Sequence, residues 1–189
     1  MMEKGIITGD LVNSSDIAAA HRQVVVESLN AVVEDFSPLS AMKLEMFRGD
    51  SFQVVVDAAE HALTAALAFR VRLKASTPEK TDAWDARVSV GIGDVSYESD
   101  SIVTSDGEAF RLSGRAFDEL GKKRLAFASP DADLNETAEL NTRFADDVVT
   151  ALTPKQARIV YHALLHPQKT KKEMAEELGM SSQNFNNVW

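Results

Sequence analysis

Two Gly-Asp pairs carry the residue types in this chain that are best suited to chemistry. Gly9-Asp10 closes the first apolar run, and Gly49-Asp50 interrupts a period-2 alternation of apolar and polar residues over 42–57. That alternation predicts a β-hairpin with a carboxylate at its tip. Two carboxylates held close together repel each other unless a proton or a cation lies between them. Hard oxygen ligands of this kind favour Mg²⁺ or Mn²⁺.

The surrounding elements determine whether the two aspartates meet. Hydrophobic periodicity predicts the order β-α-β-β-α-β-α-β over the first 130 residues. The predicted fold class is α+β: a ferredoxin-like palm with a βαββαβ core, in which the first strand lies antiparallel beside the third. This arrangement brings Asp10 next to Asp50. Because Gly-Asp is also a common turn dipeptide, each aspartate taken alone could simply be a turn former.

Local patterns describe individual elements of the palm. The Ser and Asp side chains within 10–16 predict an N-cap for a helix that directly follows the first strand. The segment 87–93 alternates large apolar residues with Ser or Gly, so one side of this strand is nearly bare. We expect the next helix, predicted over 107–120, to pack closely against that side. The first helix should bury one face, formed by Val25, Leu29, Val32 and Phe36.

Composition bounds the class of protein. The chain has 189 residues, 44% of them hydrophobic, which suits one principal domain with a small appendage. It contains no cysteine, so disulfides and thiolate metal sites are excluded. No signal-peptide pattern or membrane-spanning run occurs, and we expect a soluble, cytoplasmic protein without a membrane partner. The net charge of -9 arises in residues 1–150, which carry 15 Lys and Arg against 26 Asp and Glu, whereas 151–189 is mildly basic with five against three.

Four short motifs in order resemble a known family. They are Gly9-Asp10, Gly49-Asp50-Ser51-Phe52-Gln53, Gly91-Ile92-Gly93 and Gly107-Glu108-Ala109-Phe110. With them, residues 4 to about 127 resemble the nucleotide cyclase-like palm of class III nucleotidyl cyclases and diguanylate cyclases, and more closely the SatD family. The resemblance implies that Asp10 and Asp50 bind the metal ions, Mg²⁺ or Mn²⁺. It also implies that the turn with Asn13, Ser14 and Ser15 binds the phosphates of a nucleotide.

The helix after the Gly-rich strand carries the next implied site residues. In active class III cyclases an Asn and an Arg of this helix stabilise the transition state. In the same register this chain has Arg111 and Arg115, so the Arg matches and the Asn is replaced. Two guanidinium groups one turn apart could grip phosphates. Alternatively, both arginines pair with Asp118 and Glu119 on a solvated face.

Other positions depart from the family pattern. The lysine that helps many cyclases to select the base is replaced by Met46, and its usual Asp partner is replaced by Thr104. The diguanylate cyclase signature is incomplete, with Arg48 in place of its first Gly and Ser51 in place of its Glu. These departures argue against base selection by that route, and against catalysis with it.

The C-terminal part predicts a helix-turn-helix. Residues 1–130 form the predicted palm, 131–150 an acidic helical connector, and 151–189 the small all-α segment. Capping boxes at Thr153 and Thr170 begin two helices, and Ser181 caps a third. In such a motif the last helix enters the major groove, where Gln183, Asn184 and Asn187 would read bases. Phosphate contacts would come from Lys169, Lys171 and Lys172.

The sequence therefore favours a DNA-binding regulator whose palm binds a phosphorylated nucleotide together with a divalent metal, and which forms a homodimer. One alternative is an active Mg²⁺-dependent nucleotidyl cyclase or nucleotidyltransferase. Another is a degenerate palm that serves only as a dimerisation scaffold, and the C-terminal helices could equally serve dimerisation or protein contacts. Since the chain ends two turns into the predicted recognition helix, we expect the natural domain to continue beyond Trp189.

Overall fold

The computed structural model describes residues 3–189 as six strands and seven helices. The strands are β1 (Glu3–Leu11), β2 (Met42–Phe47), β3 (Ser51–Val56), β4 (Ala86–Tyr97), β5 (Asp106–Gly107) and β6 (Leu125–Ala128). The helices are α1 (Arg22–Phe36), α2 (Ala62–Ala75), α3 (Glu108–Asp118), α4 (Ala132–Ala151), α5 (Pro154–Leu165), α6 (Lys171–Glu177) and α7 (Ser182–Val188). The predicted order of elements is confirmed, with the two-residue β5 as the addition.

The sheet has the strand order β2-β3-β1-β4-β5, and β6 pairs with β4 in parallel. β1 lies antiparallel between β3 and β4, as the βαββαβ core requires. The predicted α+β, ferredoxin-like palm is therefore confirmed. The register sets Asp10 opposite Ser51 on β3 and opposite Arg87 on β4.

Helices cover both faces of this sheet. On one face α1 and α2 bury the main core, and the predicted inner face of α1 is almost completely buried. On the other face α3 lies across β4 and β1. Gly91 permits this approach, because a Cβ there would lie 2.3 Å from the carbonyl oxygen of Ala109 and 2.4 Å from the backbone nitrogen of Ser113. The expectation that a helix packs on the bare side of β4 is confirmed.

The β2–β3 hairpin reverses over three residues. Arg48 and Gly49 both adopt positive φ, 55° and 85°, as the tight turns of hairpins often do. Asp50 follows directly and leads into β3. The turn therefore fixes where this carboxylate lies relative to the end of β1.

A buried charge network fastens α4 to the palm. Asp85, just before β4, accepts two hydrogen bonds of 3.0 Å from the fully buried Arg70 guanidinium of α2. Arg70 also donates to Asp146 of α4 at 2.7 Å, and Arg124 donates to Asp85 at 2.8 Å. The ammonium group of Lys74 lies 3.5 Å from Asp85. Every charge in this network thus has an opposite partner within reach.

Helix α5 joins the palm to the last two helices. Ala157 and Tyr161 belong to the main core, and the Tyr161 hydroxyl donates to Asp35 of α1 at 2.7 Å. Burial and this hydrogen bond raise the pKa of Tyr161. A second, small core of α5, α6 and α7 contains Ile159, Met174, Ala175 and Phe185. The main core of the palm therefore extends into α5. The division of the chain into 1–130, 131–150 and 151–189 stays a prediction.

Sequence signals for the helix ends hold well in this C-terminal part. The capping boxes predicted at Thr153 and Thr170 are both formed, and the Ser181 side chain accepts from the backbone N–H of Asn184.

Among the described residues, no helix combines the length and apolar character that crossing a bilayer requires.

Candidate functional site

The two predicted metal-binding aspartates lie side by side at one end of the sheet. Asp10 near the end of β1 pairs with Ser51, the residue that follows Asp50. The backbone N–H of Leu11 also donates to the carbonyl oxygen of Asp50 at 3.0 Å. The antiparallel pairing of β1 and β3 thus brings together residues that are far apart in sequence.

Serine hydroxyls contact both carboxylates. Ser51 donates to Oδ1 of Asp10 at 3.0 Å, and Ser14 donates to Oδ2 of Asp50 at 2.8 Å. The other oxygen of each carboxylate accepts no hydrogen bond from residues 3–189. Both aspartates are half-buried, and within the described chain neither forms an ion pair. Each therefore keeps an oxygen that can bind a ligand.

Arg87 is a residue of this site that the sequence analysis missed. It lies opposite Asp10 in the β1–β4 register, and directly paired residues share one face of a sheet. Its guanidinium carbon lies 5.3 Å from the centroid of the Phe117 ring of α3, within the range of a cation–π interaction. Its buried Nε finds no hydrogen-bond partner among the described residues. The alternation of 87–93 placed Arg87 on the bare side of its strand, but only the strand register puts it beside Asp10.

A polar strip continues along the same face, towards the middle of the sheet. Ser113 of α3 donates to Oγ1 of Thr8 at 2.7 Å, and the Ser89 hydroxyl donates to the Ser113 carbonyl oxygen at 2.8 Å. The side chain of Gln53 donates to Oγ1 of Thr8 at 3.4 Å. These bonds hold α3 in place next to the aspartates, so the floor of the site is built from satisfied polar groups.

The donor set of the two aspartates fits a hard divalent cation. One carboxylate from the end of β1 and one from the hairpin turn before β3 each keep an oxygen without a partner among residues 3–189, and the serines orient the remaining oxygens. Mg²⁺ and Mn²⁺ prefer oxygen ligands and usually bind through one or two carboxylates together with water and substrate phosphates. Asp10 and Asp50 are the residues that would hold such an ion.

The loop after β1 differs from the prediction in how it begins the first helix. Ser14–Asp16 forms a short 3-10 turn, Asn13 adopts a left-handed conformation with φ of 51°, and no side chain caps this turn. α1 begins only at Arg22, also without a side-chain cap. The predicted N-cap in 10–16 was therefore wrong, because the hydroxyl of Ser14 is engaged by Asp50.

The three predicted phosphate-binding residues consequently have different surroundings. Ser14 contacts Asp50, whereas Ser15 is exposed and its hydroxyl lies 3.4 Å from a carboxylate oxygen of Asp16. Asn13 lines a cavity of about 570 Å³ between this loop and the segment 80–84, with Arg124 at its wall. Of the three residues, Ser14 alone is shown in contact with one of the two predicted metal-binding aspartates, and phosphate binding by all three stays a prediction.

The two predicted arginines of α3 are exposed. Arg111 forms an ion pair of 3.0 Å with Asp106, so its expected alternative pairing with Asp118 or Glu119 is not observed. Within the described residues Arg115 forms no ion pair. Since α3 runs antiparallel to β4, with Ala109 near Gly91 and Phe117 near Arg87, the half of α3 that carries Arg115 lies towards the aspartates.

The two positions that select the base in many cyclases carry neither a lysine nor an aspartate in this chain. Met46 lines a small cavity of about 40 Å³ with Leu11 and Ile17. Thr104 is exposed in a short 3-10 turn, and its hydroxyl lies 2.5 Å from that of Ser99. The neighbouring Glu45 accepts hydrogen bonds from Ser101 and from the backbone N–H of Ile102. These hydrogen bonds lower the pKa of Glu45.

The predicted DNA-reading amides are exposed on α7. Gln183 and Asn187 are four residues apart on one face, while Asn184 lines a groove with Lys155 and Arg158 of α5. Asn186, which the sequence analysis did not select, lies near Lys171 and Lys172. The amides therefore point to more than one side of α7.

The three predicted phosphate contacts differ in their surroundings. Lys169 forms an ion pair of 2.6 Å with Glu177, whereas Lys172 lies 4.0 Å from Glu176. The ammonium group of Lys171 lies 5.3 Å from the centroid of the Trp189 ring. Lys171 and Lys172 are exposed, so their charges are the more available of the three.

Comparisons with known proteins yield structural neighbours alone. No family profile matches the chain, and no curated protein matches it. The active GGEEF domain of a diguanylate cyclase from Vibrio cholerae matches 66% of this chain and 81% of its own, with 15% identity and a TM-score of 0.46. A dimeric guanylyl cyclase domain from the aquatic fungus Blastocladiella emersonii matches 63% and 75%, with 14% identity and a TM-score of 0.49. A bacterial light-regulated adenylyl cyclase matches 67% and 75%, with 15% identity and a TM-score of 0.45. Likeness at such low identity and TM-score says nothing about the activity of this chain.

Proposed function

We propose that this protein is a DNA-binding regulator whose palm binds a phosphorylated nucleotide with the help of Mg²⁺ or Mn²⁺. The observation that carries the proposal is the juxtaposition of Asp10 and Asp50, each with one carboxylate oxygen that lacks a partner among the described residues. A bound divalent ion would neutralise this pair and attract the phosphates of a nucleotide.

The residues around the aspartates support phosphate binding. Arg87 supplies a cation on the same sheet face, and its Nε is a donor that still lacks a partner in the described chain. Ser14 and Ser51 hold the carboxylates in orientation. A guanidinium group can bind two phosphate oxygens at once, which suits Arg87 to a phosphorylated ligand.

The C-terminal helices support the DNA-binding part of the proposal. Helices α5, α6 and α7 each begin with a side-chain cap and share a small core. Exposed amide side chains on α7, the last of them, are available to base edges. Residues 151–189 carry five Lys and Arg against three Asp and Glu, whereas the rest of the chain is acidic. DNA contacts are therefore expected from this segment alone, because the net negative charge of residues 1–150 disfavours contact with the polyanionic DNA backbone.

Ligand binding can be tested with Mn²⁺ and a panel of nucleoside triphosphates. Thermal shift measures binding, and mass spectrometry of the same samples measures turnover. If the protein is a regulator, one nucleotide should raise its melting temperature and should remain chemically intact. No shift with any nucleotide and no turnover would reject the nucleotide-binding proposal and favour a scaffold role for the palm.

DNA binding can be tested by its dependence on salt. For double-stranded DNA the logarithm of affinity falls with the logarithm of salt by about 0.9 per phosphate contact. Replacing both Lys171 and Lys172 by Ala should therefore flatten the slope by about two units. The matched control replaces Lys122 and Lys123 of the palm by Ala and should leave the slope unchanged. Absence of any gel shift on the protein's own upstream DNA at low salt would contradict the regulator proposal.

Arg115 supports a second candidate, an active nucleotidyl cyclase or nucleotidyltransferase. This arginine is exposed and forms no ion pair within residues 3–189, so it is available to a partner subunit. In the class III cyclases that the sequence resembles, the arginine and the metal aspartates of one site come from different subunits. A homodimer is thus part of both proposals, and measured turnover separates them.

A further inference from the structure

We propose that His162, His166 and Glu177 form a binding site for a divalent transition-metal ion such as Zn²⁺, separate from the aspartates of the palm. One potential ligand atom from each of the three side chains lies within 4.8 Å of the other two. The His162 Nε2 atom lies 2.7 Å from a carboxylate oxygen of Glu177. The site joins the end of α5 to the end of α6.

Local sequence and helix geometry explain this convergence. His162 lies in the last turn of α5 and His166 directly follows that helix, so the two rings are one turn apart and their centroids are separated by 4.7 Å. Glu177 ends α6, which packs on α5 through the small C-terminal core. The two helices thus present three ligands to one point.

The ligand chemistry selects the class of ion. Two imidazoles and one carboxylate suit Zn²⁺ and neighbouring transition ions, whereas Mg²⁺ and Ca²⁺ prefer oxygen ligands alone. Three protein ligands leave a fourth tetrahedral position for water.

The contacts require a small local rearrangement for an ion to enter. Ligand atoms that lie about 2.0–2.2 Å from a tetrahedral Zn²⁺ are roughly 3.3 Å apart, so His162 and Glu177 must separate slightly. The ammonium group of Lys169, 2.6 Å and 2.7 Å from the two Glu177 oxygens, must also move away. All four side chains are partly exposed, so rotation of their outer bonds allows this change. Lys169 therefore competes with the ion for Glu177.

Titration of the full chain with Co²⁺, followed by visible absorption, and with Zn²⁺, followed by calorimetry, tests the site. We expect one ion to bind at this site, and its affinity to fall at least about tenfold in His162→Gln, His166→Gln or Glu177→Gln. Lys169→Met should strengthen binding severalfold, because it removes the competing ammonium group. This increase identifies a metal site, since a purely structural His-Glu pair would bind no ion in any variant.

Two controls keep this test independent of the proposed function. His61→Gln changes a histidine in the short turn before α2 and should bind the ion like the unchanged chain. Asp50→Asn removes a proposed palm ligand and should also leave this binding intact. The proposal is overturned if the unchanged chain binds no Zn²⁺, or if affinity survives in His162→Gln and His166→Gln.

Discussion

Two groups of aspartates lie at the same end of the sheet and have opposite electrostatic surroundings. Asp85 is almost completely buried and is contacted by Arg70, Lys74 and Arg124. Asp10 is half-buried next to Asp50, and within residues 3–189 neither of them forms an ion pair. The backbone N–H of Val12, two residues after Asp10, donates to the carbonyl oxygen of Asp85, so the two groups are close neighbours.

The difference shows that completeness of partners, rather than residue type, separates a structural carboxylate from a candidate ligand. Burial alone would raise the pKa of Asp85, but the hydrogen bonds and charges of Arg70, Lys74 and Arg124 lower it overall. Desolvation lowers the pKa of Lys74 in the same network. Each carboxylate of the Asp10–Asp50 pair keeps one oxygen without a partner among residues 3–189, so we expect an added cation to bind there and not at Asp85.

The largest expected effect is on stability and follows from Asp85→Asn. This change leaves Arg70 and Lys74 buried without their main counter-charge, which should lower the free energy of unfolding by about 3–5 kcal/mol. Urea denaturation measures it. Asp10→Asn is the matched control and should change the free energy by less than about 1 kcal/mol. Equal losses in both variants would erase the distinction between the two groups.

Two arginines differ in the same way, because Arg70 is buried in the charge network whereas Arg115 is exposed. If the protein catalyses nucleotidyl transfer, Arg115→Ala should leave nucleotide binding largely intact and reduce turnover by on the order of a hundredfold. If it is a sensor, the same change should weaken nucleotide binding, and there is no turnover to lose. Arg143→Ala, at an exposed position on α4, is the control. An Arg115→Ala variant that behaves like this control in both assays would show that Arg115 contributes to neither nucleotide binding nor turnover.

A metal titration tests directly whether Asp10 and Asp50 bind an ion. Free Mn²⁺ at a hundred times its dissociation constant should stabilise the unchanged chain by about 2.7 kcal/mol, and Asp50→Asn should remove this gain. Asp147→Asn removes the same charge from an exposed position on α4 and should keep the gain. Mn²⁺-dependent stabilisation that persists in Asp50→Asn would place the ion elsewhere and reject the aspartate site.

A pH titration sharpens the same comparison, because acid removes the Asp85 contribution. The pKa of Asp85 in the folded protein lies below its ordinary value of 3.8, so its ionised form stabilises the fold fully above that value. As the pH falls through the folded-state pKa, the carboxylate gains a proton and this stabilisation is lost. The difference in unfolding free energy between the unchanged chain and Asp85→Asn should therefore shrink on acidification. A difference that grows would contradict the proposed role of the network.

Local sequence patterns were enough to predict the order of elements and the fold class. Periodicity identified the hairpin around Gly49 and the order of strands and helices, because burying one face of each element requires a fixed spacing of apolar residues. Capping boxes identified the starts of α5 and α6 for an equally local reason, since a side chain there satisfies a backbone N–H three residues away. Topology rules then placed Asp10 beside Asp50 before any contact was known.

Which groups share a site could be seen only in the folded chain. The position of Arg87 beside Asp10 depends on the β1–β4 register, and the engagement of Ser14 by Asp50 depends on a loop whose geometry overrides the predicted helix cap. The Arg70–Asp85–Asp146 network likewise unites three separate elements. Local patterns carry no record of such contacts, because charged side chains follow no apolar periodicity and find their partners only when the core has set the distances between elements.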